Sequence, residues 1–256
     1  MFYLGSQKLR DPQQQDEDRT RQQEVTITDW QAHFAQLAKQ TREKRLQAFY
    51  RAGVVDAQTP LKDVPLLALD VETTGLNPRK NSIVSLGMLP MTLNRIRCSE
   101  AKHWIVNPLS GLNNESVAIH GITHSAIKKA PDLEVVLDDL LETFRGHVLV
   151  VHHRGIERPF LDVAIKTRLG EGLQFPVIDT MELEARLHRQ KALSWWKRLL
   201  GQKPASIRLA DSRARYGLPW YRPHHALNDA LATAELLQAQ IAYRFSPDTP
   251  ISELWV

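Results

Sequence analysis

Residues 66–75 read LLALDVETTG, and this stretch decides the fold. The apolar run at 66–71 has the character of a strand buried on both faces, and it runs directly into an acidic pair. Side chains two apart on a strand project from the same face, so Asp70 and Glu72 are predicted to stand side by side. Thr73, Thr74 and Gly75 then make a sharp turn that leaves both carboxylates at an accessible sheet edge. Two carboxylates so placed can share a metal ion. An Asp-x-Glu triplet also has a plainer reading as a solvated strand end, and the triplet alone does not choose between them.

Working outward, SIVSLGMLPM (82–91) and AKHWIVNP (101–108) read as second and third strands. Residues 131–144 carry Leu133, Val136, Leu137, Leu140 and Leu141 at helical spacing. HVLVVHH (147–153) is a buried strand, 159–169 a helix and VID (177–179) a short strand. Helices are predicted at 180–189, 209–216 and 227–244. Hairpin-linked strands followed by strand–helix units imply an α/β class, a mixed β-sheet flanked by helices.

Upstream, residues 1–28 are rich in Gln, Asp and Arg and read as a polar tail. Between 30 and 50, Phe34, Leu37, Ala38, Leu46 and Phe49 recur at helical spacing, with Asp29 as N-cap and Gly53 as stop, so a helical arm is expected. DAQTPLKDVP (56–65) is the linker. The expected organisation is therefore 1–62 as tail, arm and linker, 63–246 as the main domain and 247–256 as a C-terminal tail. A chain of 256 residues with a net charge of +4 neither demands nor excludes a polyanionic partner. No apolar h-region or membrane-length run is present, which predicts a soluble cytoplasmic protein without a membrane span. One cysteine, Cys98, excludes an internal disulfide.

Two further segments carry acids in suggestive places. In VVHHRGIERPFL (150–161) a strand meets His152 and a glycine-containing turn, and Glu157 opens a helix; in HHALNDALATAELL (224–237) Asp229 does the same. An acid in a first helical turn is also explained by the helix dipole. His224 likewise has a plain reading as a surface histidine.

Taken in order, the three segments resemble the motifs of the DEDDh exonucleases, the DnaQ-like group of the ribonuclease H-like fold. Asp70 and Glu72 match the first motif. HHRGIE matches HNxxFD, with Glu157 where the family has Asp, and HxAxxD selects His224 over His225. VAIHGIT (117–123) resembles a loop lining the substrate end, and Asp179 begins a family helix. The resemblance runs over about 66–240. It implies a ribonuclease H-like fold, a 3′-to-5′ exonuclease releasing nucleoside 5′-monophosphates, and two divalent cations, Mg²⁺ or Mn²⁺, held by Asp70, Glu72, Glu157 and Asp229. His224 would be the general base. Thr73, Thr74, Gly75, His120 and Ile122 would bind substrate. The longer Glu157 side chain displaces its carboxylate by about an ångström, enough for catalysis to feel. That substitution favours a rival reading as a catalytically impaired binding or scaffold module, with the N-terminal arm docking a protein partner.

Between His188 and Arg222 stand nine Lys or Arg residues and one acid, Asp211, interleaved with Trp195, Trp196, Tyr216, Trp220 and Tyr221. A basic, aromatic surface suits single-stranded nucleic acid, with Lys197 and Arg198 as contacts; the resemblance, which is to proofreading-type domains, implies DNA over RNA. The same pattern is also met by aromatics packed against the domain and lysines merely solvated.

Overall fold

The computed structural model describes residues 27–109, 111, 121–189 and 205–256. Most of the expected tail, together with His120, Lys197, Arg198, Trp195 and Trp196, lies outside the described residues.

Two helices open the described chain, α1 (Trp30–Gln40) and α2 (Lys44–Ala52). Asp29 caps α1 by accepting the Ala32 N–H at 2.9 Å, and α2 stops at Gly53, whose φ of 75° lies in the left-handed region. Then follow β1 (Leu66–Thr73), β2 (Ile83–Thr92), β3 (Arg95–Ile96) and β4 (Lys102–Ile105). After α3 (His124–Lys129) and α4 (Leu133–Phe144), the chain alternates through β5 (Val148–Val151), α5 (Arg154–Leu169), β6 (Val177–Asp179) and α6 (Thr180–Arg189). It ends in α7 (Leu209–Arg215) and α8 (Ala226–Arg244).

The sheet runs β3-β2-β1-β5-β6, with β4 also pairing β2. β1 lies at its centre, antiparallel to β2 and parallel to β5, and Leu66, Leu67, Ala68 and Leu69 are wholly buried. An apolar run with no polar alternation belongs where helices cover both faces. Each such leucine contributes about 1.5–3 kcal/mol through removal from water. α8 packs across β2 and β1. None of the described helices is long and apolar enough to cross a membrane.

Three expectations change. α5 begins at Arg154 rather than 159, with Pro159 inside it, because the Asp179 carboxylate accepts the backbone N–H of His153 and Arg154 and fixes the helix start there. The two N-terminal helices do not project as an arm. Trp30, Phe34, Leu46, Phe49 and Tyr50 are buried in the common core, the Arg158 guanidinium lies 5.4 Å from the Trp30 ring centroid, and the Tyr50 hydroxyl accepts the Gln174 N–H. Only their polar faces are left for any partner. The segment expected as a C-terminal tail is likewise packed: Ile251, Leu254 and Trp255 are buried, and Val256 exchanges two backbone hydrogen bonds with Val177. β6 is an edge strand whose open N–H and C=O groups need partners, and the last residues supply them.

Candidate active site

Asp70 and Glu72 leave β1 on one face, opposite Gly87 and Ser85 of β2. His103 of β4 stands opposite Gly87 in turn, so Asp70, Gly87 and His103 form a row across three strands. The gap in that row is filled by backbone. A Cβ at Gly87 would lie 2.3 Å from the Ala226 carbonyl carbon and the Leu227 nitrogen, a separation that side chains do not reach. Glycine therefore lets the start of α8 rest directly on the sheet beside Asp70.

This crossing delivers Asp229, in the first turn of α8, to the strand carboxylates. Ligand oxygens of Asp70, Glu72 and Asp229 all lie within 4.8 Å of one another. One Asp229 oxygen accepts the backbone N–H groups of His224, at 2.7 Å, and His225, at 3.2 Å, so the same carboxylate pins the preceding turn. His224 sits there at φ 67°, a left-handed conformation that histidine adopts more readily than most side chains. The two imidazoles have different surroundings. Both are exposed, but the His225 ring lies 4.8 Å from that of His103, which is hydrogen-bonded to the buried Ser85 hydroxyl, whereas His224 sits in the turn with φ 67°.

Burial raises all three carboxyl pKa values, and repulsion from neighbouring carboxylates adds to it at Asp70 and Glu72. Asp70 is pushed well up by burial and then by Glu72, Glu157 and Asp229; Glu72 is raised to about 8 by burial and by Asp229. Asp229 is raised by burial, against the lowering effect of its two backbone donors. Glu157 is 3% exposed, and burial lifts its carboxyl well above the usual range. Its Oε2 makes no hydrogen bond among the described residues. It stands outside the 4.8 Å group, although close enough to Asp70 to disfavour ionisation there. Crowded anionic oxygens and an orphaned buried carboxylate atom suit hard divalent cations, which would remove both penalties.

Of the residues expected to bind substrate, Thr73, Thr74 and Gly75 form the turn at the end of β1 and Ile122 precedes α3. Thr73 donates its hydroxyl to the Gly75 carbonyl, and the buried Thr74 hydroxyl accepts the Ser82 N–H, so both side chains serve the turn. Gly75 leaves room for Asn81, whose Oδ1 would be 2.8 Å from a Cβ there. Ile122 is half-buried just before α3. His152 is a structural clasp. Its Nε2 donates to the Ile207 carbonyl at 3.1 Å, its Nδ1 lies 2.8 Å from the Thr180 hydroxyl, and burial lowers its pKa to about 4, so it is neutral.

The basic, aromatic stretch is partly a buried network. Arg213 pairs with Glu235, Arg215 with Glu184, and the Tyr216 and Tyr221 hydroxyls donate to those same two acids. The partners come from α6 and α8, outside the stretch itself, so local charge counting misses them. Arg208, Trp220 and Arg222 are exposed. Gly87, Ser85 and His103 were not singled out by sequence; an isolated glycine within a strand pattern was the available signal for the first.

A family model described as RNase_T exonuclease matches residues 67–237. Among curated proteins, the chain is 28% identical over 174 residues to a DNA polymerase III PolC-type of Thermotoga maritima, covering 68% of this chain and 12% of that protein. It is 29% identical over 180 residues to a DNA polymerase III subunit epsilon-like protein of Rhodobacter capsulatus, covering 70% of this chain and 24% of the relative. The chain thus spans less than a quarter of either relative. Among solved structures, the nuclease domain of 3′hExo, described as a DEDDh family member bound to rAMP, aligns with a TM-score of 0.57 at 15% identity. That match covers 70% of this chain and 92% of that domain, a likeness of fold.

Proposed function

The chain belongs to the RNase_T exonuclease family, in its DEDDh group of 3′-to-5′ exonucleases, and on that premise we propose that it releases nucleoside 5′-monophosphates from the 3′ end of single-stranded nucleic acid, preferring DNA to RNA. The observation that carries this reading is the convergence of Asp70, Glu72 and Asp229 oxygens within 4.8 Å where α8 meets β1. These three residues would hold two divalent cations, Mg²⁺ or Mn²⁺, with Glu157 contributing from the buried side. Bound there, the cations supply charge neutralisation on the phosphoryl oxygens and acidify the attacking water. His224 accepts the proton of that water, and Asp229, accepting its backbone N–H, holds the turn that carries the imidazole. The DNA preference draws on the polymerase relatives.

The test uses 5′-labelled single-stranded DNA and RNA with Mg²⁺, Mn²⁺ or EDTA. The expected products are ladders that shorten stepwise from the 3′ end only when metal is present, slowed by a 3′ block. Internal cleavage, or equal rates in EDTA, overturns the reading.

Glu157 separates this enzyme from an impaired module of the same fold. Glu157→Asp is expected to retain or raise activity, because it restores the family's shorter side chain. Glu157→Ala should lower activity about 10- to 100-fold, the scale on which outer partners of a metal site matter. Rates measured across a Mg²⁺ titration check this. An alanine variant that matches wild type throughout would leave Glu157 as a helix-opening residue only.

A further inference from the structure

Trp220 is 75% exposed, on the segment that joins α7 to α8. An indole left in water is usually explained by a loose loop, but this segment is braced. The buried Arg213 donates to the Pro219 carbonyl at 2.8 Å, to the Ala232 carbonyl at 2.6 Å and to Glu235 at 2.7 Å. On the other side of Trp220, Tyr221 donates its hydroxyl to the same Glu235 at 3.0 Å and lays its ring 4.7 Å from the Arg213 guanidinium. Both neighbours of Trp220 are therefore fastened through one ion pair to α8, the helix that carries Asp229. The exposed ring is presented on a rigid support, and little ordering entropy is lost when something covers it.

We propose that Trp220 is a stacking platform for a base of the bound single strand, upstream of the nucleotide being removed; this rests on the exonuclease reading above. Three residues separate Trp220 from His224, so their Cα atoms are at most about 14 Å apart. At about 3.4 Å per stacked nucleotide, that distance covers at most about four nucleotides. Arg222, exposed between the two, offers a cation to the intervening phosphates. An unpaired strand is the partner that matches this chemistry, because each of its bases has a free π face and each linkage an anionic oxygen.

Steady-state hydrolysis of a dinucleotide and of long oligothymidylates by wild type, Trp220→Ala and Trp220→Phe tests the proposal. For long substrates Trp220→Ala should raise KM about 5- to 150-fold with kcat held, the range expected for loss of one stacked base. Trp220→Phe should recover much of that loss, and the dinucleotide, which offers a single upstream base, should lose less. An unchanged KM on long substrates overturns the proposal, as does an equal loss on the dinucleotide. If wild type degrades neither substrate, the exonuclease reading itself fails. The platform is then judged from quenching of indole fluorescence by oligothymidylate: a quench diminished in Trp220→Phe supports it, and an identical quench overturns it.

Discussion

His224→Ala is expected to lose about 10² to 10⁴ in single-turnover rate, the usual contribution of a positioned general base. His225→Ala should lose far less. The adjacent imidazoles are told apart by their surroundings. Both are exposed and both give their backbone N–H to Asp229, but the His225 ring lies against that of His103, whereas His224 carries the positive φ of 67°. Both N–H groups survive either substitution, so loss of the imidazole is the main change. Alanine tolerates a left-handed backbone poorly, and His224→Asn supplies the control: asparagine accepts that conformation but is not a base at neutral pH. It should lose as much rate as the alanine variant while substrate affinity is retained. A larger loss at His225, or an active His224→Asn, would move the base elsewhere.

Gly87→Ala should be the most damaging substitution that removes no functional group. Its new Cβ would come within 2.3 Å of the α8 backbone, and ordinary carbon contacts of about 3.5 Å require that helix to retreat by about 1 Å. Overpacking of this kind costs about 1–3 kcal/mol of stability. The activity cost is separate, because a displacement of about 1 Å at reacting groups is worth about 100-fold in rate. Asp229 and His224 both ride on the displaced segment. Denaturant unfolding and kcat measured together check the expectation: a variant with wild-type stability and wild-type rate would mean that α8 does not rest on this strand.

Much of the site can be read locally. The apolar run at 66–69 followed by acids two apart names β1 and its carboxylate face, because side chains alternate along any strand. Asp29 as a cap and Gly53 as a stop are equally local, since each acts within one helical turn. Motif register singles out His224, although the positive φ and the His103 contact that distinguish it from His225 appear only in three dimensions.

What local patterns leave out shares one physical cause. Gly87 gains its meaning from a helix that arrives far later in the chain, and nothing in SIVSLGMLPM records which backbone will press on it. Arg213 and Arg215 look like surface cations until Glu235 and Glu184 are folded against them. Trp255 and Val256 look like a tail until β6 requires partners on its open edge. Hydrophobic periodicity and capping chemistry depend on neighbours a few residues away, and from the chain alone they establish the element types and the acidic strand face, while Glu157 and Asp229 were marked only by the family resemblance. Close packing and the pairing of buried polar groups depend on segments distant in sequence, so the seating of α8, the burial of Glu157 and the bracing behind Trp220 were settled only when the chain closed on itself.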